Sequence, residues 1–201
     1  MKPRSPRPSG GFTLIEILIV IVIIGAMMGL GVSVLFPGNE AKLRDSAARL
    51  AGTIKFLYNE AAIKKKYYRL VFDLDSQSYS VESSSEPFLL QMIEKPEPSP
   101  QAGAFTEESG FLVENSRLPS GIKIKDISVL HLKDRRESGK VFIAFFPNGY
   151  VEPAVINLAD EDEAVFYSLE VSPLTGRTKI RSEYYEVRPE ELRPRNGGGE
   201  P

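Results

Sequence analysis

Glu16 is the one formal charge between Phe12 and Phe36, a stretch of 25 residues that is otherwise uncharged and strongly apolar. A carboxylate inside an apolar span costs about 2.5 to 3.5 kcal/mol at mid-bilayer on insertion scales, and less near an edge, so it calls for a cationic partner. The cations ahead of it, Lys2, Arg4 and Arg7, are separated from it by Gly10-Gly11. A cut between Gly11 and Phe12 would remove them and leave a new amine on Phe12, the nearest positive charge that Glu16 could use. In surroundings of low dielectric constant such a pair is strengthened, and formed between two chains it would set their axial register. The alternative is that Glu16 reaches the interface and simply favours the positive end of its own helix.

The other residues with chemical potential are scattered. His131, the sole histidine, falls in a strand pattern with no Ser or Cys nucleophile pattern beside it, and reads as a surface or half-buried structural residue. Asp160-Glu161-Asp162-Glu163 offers oxygens to Ca²⁺ but lacks the spaced ligands and the glycine of a calcium loop, which leaves a solvated acidic turn. Asp73 and Asp75 flank a predicted turn with no sign of a cleft. Arg177, Lys179 and Arg181 alternate, so on a strand they share one face and could meet successive phosphates. The same three cations also serve to keep a sheet edge unpaired. No catalytic residue, metal site or cofactor is expected from this set. The chain has no cysteine, so disulfides and thiol chemistry are excluded.

These residues need elements to hold them. As a helix, 12–36 is about 37 Å long at 1.5 Å per residue, enough to cross a hydrocarbon core of about 30 Å. The leader, 1–11, is basic with no acid, which keeps the N-terminus in the cytoplasm and sends the rest across. The leader holds three of the 25 basic residues, leaving 22 against 27 acids and a balance of −5. A mildly acidic exported part weighs against a general nucleic-acid binder. About 160 residues remain for one domain with a sizeable core.

In chain order, Gly25 and Gly29 lie one helical turn apart, a spacing that lets another helix approach closely. Pro37 and Gly38 then predict a kink or a short melted stretch. Helical periodicity resumes over 37–66, where Leu43, Ala47, Leu50, Ile54, Leu57 and Ala61 make one apolar stripe, closed by Lys64, Lys65 and Lys66 against the negative end of the helix. From 67 the period changes to two. Tyr67 to Leu74 and Ser78 to Glu82 read as a hairpin, and Ser83 to Gly110, with Lys95-Pro96-Glu97-Pro98, as a long exposed loop. Strands are predicted at Phe111 to Asn115, Gly121 to Ile127 and Val129 to Lys133. Lys140 to Phe146 pairs with Tyr150 to Leu158 through Asn148-Gly149, with Glu152 and Pro153 marked as a bend or an end, and Ala164 to Val171 pairs with Arg177 to Ser182. The tail, 183–201, has too little apolar surface to order itself. The sum is α+β: a long N-terminal helix whose amphipathic half packs on an antiparallel β domain, 67–182.

Gly11, Phe12, Thr13-Leu14, Glu16 and the apolar run resemble, all in register, the class III signal of the type IV pilin and pseudopilin superfamily. The resemblance implies that a prepilin peptidase cuts after Gly11 and methylates Phe12, and that Glu16, as fifth mature residue, directs assembly. Leu70-Val71-Phe72-Asp73, Phe146-Pro147-Asn148-Gly149, and Leu169 to Ile180 with Thr175-Gly176-Arg177 are most similar to the H-type minor pseudopilins of type II secretion. That implies a structural subunit and not an enzyme. It would be held in the inner membrane by one span, with a periplasmic domain, near the tip of a periplasmic filament that helps drive exoproteins across the outer membrane. The implied partners are the minor pseudopilins I, J and K, the major pseudopilin and the inner-membrane secretion platform. The competing resemblance is to minor type IV pilins, some of which take up DNA through Gly-Arg-x-Arg. Here Gly176-Arg177-Thr178-Lys179 has lysine at the last place.

Overall fold

The computed structural model describes residues 13–35, 38–88, 90, 105–108 and 116–192, without the side chains of 27–35. The chain divides into two compact units, Met1–Gly38 and Asn39–Pro201. In the first, helix α1 runs Leu14–Leu35. The predicted kink falls on 36–37, outside the described residues.

The second unit opens with helix α2, Asn39–Lys64. Its buried side is Leu43, Ala47, Leu50, Ile54, Leu57 and Ala61, together with Ser46, whose hydroxyl donates back to the Lys42 carbonyl at 2.8 Å. Lys65 takes a left-handed conformation (φ 56°) just past the last turn, and Lys64 pairs with Glu60 at 2.5 Å. That geometry ends the helix without a glycine.

Ten strands follow. They are β1 (Tyr67–Asp73), β2 (Ser78–Ser84), β3 (Thr106–Glu107), β4 (Ser116–Arg117), β5 (Ile122–Val129), β6 (Lys140–Phe146), β7 (Tyr150–Val151), β8 (Ala154–Asp160), β9 (Phe166–Val171) and β10 (Thr178–Arg181). The first sheet has the order β3-β2-β1-β6-β7, with β4 also on β2, and the second β10-β9-β8-β5, every pair antiparallel. Helix α2 packs against strands of both sheets. The core between them is built of Leu50, Ile54, Phe72, Ile143, Phe145 and Ile156, among others.

The β1–β2 turn is formed by Asp73, whose Oδ1 accepts from the backbone N–H of Asp75 (3.2 Å) and Ser76 (3.1 Å), and these bonds hold its carboxyl below the usual range. Asp75 in turn accepts from the N–H of Gly139 at 3.1 Å. Both acids are therefore occupied in shaping turns.

The structure departs from the expected pattern at three places. The strand expected at Gly121 to Ile127 is β5, which runs on to Val129 past a bulge between Ile124 and Asp126 that resets the alternation, and in place of the strand expected at Val129 to Lys133 the chain turns, the Leu132 N–H donating to the Val129 carbonyl at 3.3 Å. With Lys125 as the extra residue, Ile127 and Val129 point into the core while Asp126 and Ser128 turn to the opposite face. As marked in the sequence, the strand from Tyr150 to Leu158 ends at Glu152-Pro153: β7 closes the first sheet and β8 enters the second. Glu152 still donates its N–H to the Ala144 carbonyl (2.8 Å), whereas Pro153 has no N–H to continue the ladder. The loop expected from Ser83 to Gly110 holds β3, and its two ends are pinned by Arg69. That guanidinium lies 4.6 Å from the ring of Phe88, 3.7 Å from Phe105 and 4.4 Å from Phe142. The strand expected at Phe111 to Asn115 lies outside the described residues. Finally, of the tail expected to lack order, residues 183–192 lie on the second sheet and end in a short 3-10 helix at Pro189–Leu192, since Val187 and Pro189 are buried and the chain before them is hydrogen-bonded to that sheet, and 193–201 lie outside the described residues.

Candidate functional site

Every large apolar side chain of α1 from Leu14 to Ile24 is 46 to 85 % exposed. A helix apolar all round, without a core of its own, requires lipid or other helices about it. Thr13 caps its start, its carbonyl accepting from the N–H of Glu16 (3.1 Å) and Ile17 (3.3 Å), and its Oγ1 lying 3.4 Å from the Glu16 nitrogen. Thr13-Leu14-Ile15-Glu16 has the spacing of a capping box, and the structure shows its Thr13 half, a signal carried in the local sequence. It places the exposed Glu16 in the first turn, at the positive end of the helix. Gly11 and Phe12 lie outside the described residues, as does any pairing of Glu16 with the Phe12 amine. Gly25 faces open space, with no atom within 4 Å of the position a Cβ would take, and Gly29 lies within the undescribed side-chain stretch of α1. Among the described residues no helix is long and apolar enough to cross a membrane. The backbone of α1, at 22 residues, extends about 33 Å.

The candidates in the second unit serve the fold. His131 is structural as expected, but fully buried and not at the surface or half-buried: its Nδ1 lies 2.6 Å from Glu152 Oε1, and its ring stacks on Phe142 at 4.4 Å. Sequence spacing could not reveal the pair, because the corner between the sheets brings residues 21 apart together. Asp160 Oδ1 accepts from the N–H of Ala164 (2.8 Å) and Val165 (2.9 Å), which turns the acidic run back into β9.

Glu163 is held by Lys123 at 2.8 Å and also by Lys125, and those bonds lower its carboxyl to about 2. Since the folded value lies below the ordinary 4.5, the pair adds stability above pH 4.5 that is lost as pH falls toward 2. The melting temperature of Glu163→Gln should therefore lie below that of the parent at pH 6 and converge with it near pH 2. Because the group is exposed, the gap should also narrow in high salt.

Arg177, Lys179 and Arg181 do not form a row of three free cations. Arg177 precedes β10, and Arg181 is bound to Glu170 at 2.7 Å with its guanidinium 4.5 Å from the Tyr185 ring. The two later motifs meet instead at Tyr58 of α2. Its hydroxyl donates to the Leu174 carbonyl (2.7 Å), Lys55 Nζ donates to the Thr175 carbonyl (2.7 Å), and Gly149 and Gly176 both abut the tyrosine. Those residues clamp the helix to the sheets.

Comparison with known proteins gives three findings. Residues 6–32 match the family described as the prokaryotic N-terminal methylation motif. Over 71 residues, 35 % of this chain, the sequence is 42 % identical to the type II secretion system protein H of Pseudomonas aeruginosa, and the match spans 41 % of that relative's length. The crystal structure of the minor pseudopilin EpsH of Vibrio cholerae superposes with a TM-score of 0.52 at 10 % identity, covering 73 % of this chain and 98 % of that one. A second structure of EpsH gives a TM-score of 0.49 at 11 % identity over 70 % and 97 %. The likeness establishes the architecture: a helix packed on antiparallel sheets, the pseudopilin fold.

Proposed function

We propose that this chain is an H-type minor pseudopilin of a type II secretion system, a structural subunit of a periplasmic filament. What carries the reading is one conjunction: a helix apolar on every side, with Glu16 in its first turn, inside a matched methylation motif and joined to a domain of pseudopilin fold. In this reading a prepilin peptidase cuts between Gly11 and Phe12 and methylates Phe12. Residues 12–36 then anchor the protein in the inner membrane as a single span with the domain in the periplasm. On assembly the helix leaves lipid for a bundle of like helices, with Gly25 and Gly29 permitting close approach. Glu16 offsets its own burial by pairing with the Phe12 amine of a neighbouring chain, and so fixes the axial step. The major pseudopilin, the minor pseudopilins I, J and K and the secretion platform are the partners this role requires. Participation in DNA uptake has less support, because Glu170 already neutralises Arg181.

The test is N-terminal mass spectrometry of the chain produced beside its own peptidase, which should show a mature start at methylated Phe12. An active protein that keeps its first eleven residues would defeat the proposal. Glu16→Ala should remain in the membrane fraction while its recovery in the sheared filament falls at least tenfold, roughly the 1.4 kcal/mol that a tenfold ratio represents.

A further inference from the structure

After β10 the chain doubles back and crosses the outer face of the second sheet. Polar side chains on three successive strands meet its main chain at alternate residues. The Ser168 hydroxyl of β9 lies 2.7 Å from the Glu183 carbonyl, Asn157 Nδ2 of β8 donates to the Tyr185 carbonyl at 3.2 Å, and the Ser128 hydroxyl of β5 donates to the Val187 carbonyl at 2.8 Å. The Tyr185 N–H donates back to the Ser168 oxygen at 3.0 Å. Asp126, Asn157 and Ser168 are in register across the sheet, with Asn157 Nδ2 on Asp126 Oδ1 at 2.8 Å. Asp126 Oδ2 accepts from the Tyr184 hydroxyl at 3.0 Å. Asp126, Ser128, Asn157 and Ser168 are all at least 98 % buried, so this is a polar row built beneath a strap, not a solvated surface.

Carbonyls at positions i, i+2 and i+4 belong to any extended chain. Of the strap residues 183–188 only Val187 is buried, and clefts of about 610 and 480 Å³ lie on either side of it. The strap is thus held through its backbone by the polar row, and its side chains add contacts at the rim: the Tyr184 hydroxyl accepts from Arg135 at 2.9 Å, Glu186 pairs with Arg135 at 3.0 Å, and the Tyr184 ring meets that of Phe166 edge-on at 5.5 Å.

We propose that this face is a groove that reads the main chain of an extended peptide, and that 183–188 is a built-in occupant which a segment of a neighbouring subunit displaces. The displacing segment must be extended, must offer a hydroxyl such as tyrosine's to Asp126, and must carry a β-branched residue three places later. Burial pushes the Asp126 carboxyl up, while Asn157 and the Tyr184 hydroxyl donate to it and Arg135 lies close by. The groove rests on geometry alone; that its supplier is a fellow subunit rests on the assembly role proposed above.

The experiment uses the full chain in detergent and a fluorescent peptide of the sequence 183–192. Loosening the strap in cis with Tyr184→Phe and Val187→Gly should tighten peptide binding at least tenfold over the parent chain. Adding Ser128→Ala should reverse most of that gain. A peptide with alanine everywhere except at the places of Tyr184 and Val187 should bind within threefold of the original. Equal binding to loosened and parent chains, or indifference to Ser128→Ala, would overturn the proposal. Hydrogen exchange on the parent chain provides a measurement that needs no variant: the Tyr185 amide should exchange at least a hundredfold faster than the amides of β8. Exchange at the β8 rate would mean that the strap belongs to the core and cannot be displaced. Failure of these tests alongside normal processing at Phe12 would remove the groove and leave the assembly role intact.

Discussion

Glu152→Ala should destabilise the domain by about 3 to 5 kcal/mol, the usual consequence of removing one partner from a buried, hydrogen-bonded polar pair. Glu152 is fully buried at the corner where the chain passes from one sheet to the other. Its Oε1 accepts from the His131 backbone N–H at 2.9 Å and lies 2.6 Å from His131 Nδ1, and its Oε2 accepts from the Ala144 N–H at 3.3 Å. Truncation orphans two backbone donors and a ring nitrogen in a place water does not reach, beside the ring of Phe142. For a domain of this size the melting temperature should fall by roughly 10 °C. Glu152→Gln, which keeps the volume and one acceptor, should fall between. Thermal melts of the three chains at one pH decide the matter, and an unchanged melt for the alanine variant would show that the corner is held by packing alone.

Gly176→Ala should be nearly as damaging. The backbone at Gly176 has φ +59°, where a side chain is disfavoured, and an added Cβ would lie 2.3 Å from Tyr58 Cγ and 2.6 Å from its Cβ. Tyr58 cannot yield easily, since its hydroxyl is tied to the Leu174 carbonyl of the same turn. The turn also accepts from the Val151 N–H through the Pro173 carbonyl (2.9 Å), so displacement would loosen the helix from both sheets together. Strain plus overpacking predicts a loss of about 2 to 4 kcal/mol. In a Tyr58→Ala background, where the ring is gone and only the Cβ contact remains, the penalty should shrink by at least half, and a double-mutant cycle measures that coupling. Equal penalties in the two backgrounds would place the strain in the backbone alone.

Much of the architecture was legible because it rests on local periodicity. The spacing from Leu43 to Ala61 defines the buried side of α2 in any protein that offers an apolar partner, and Asn148-Gly149 fits the tight turn between β6 and β7 wherever the strands go. The methylation motif matched over 6–32 was legible for the same reason, its glycine, aromatic residue and acid all falling within six residues, and the cap that Thr13 makes on α1 is equally local. The order of 183–192 was not legible, because composition counts apolar surface and is blind to a row of buried hydroxyl and amide groups across a sheet.

By itself, then, the amino-acid order determined an apolar rod with one acid near its start, an amphipathic helix after it, and a succession of strands with an α+β outcome, since each depends on side-chain spacing along a few turns or one strand. Only the tertiary structure decided that Lys125 is a bulge that turns Asp126 and Ser128 outward, that Glu152 leaves one sheet to meet His131, and that 183–188 lies over the other. Those outcomes depend on register between segments distant in sequence, where a shift of one residue exchanges core for surface and no local pattern records which register wins.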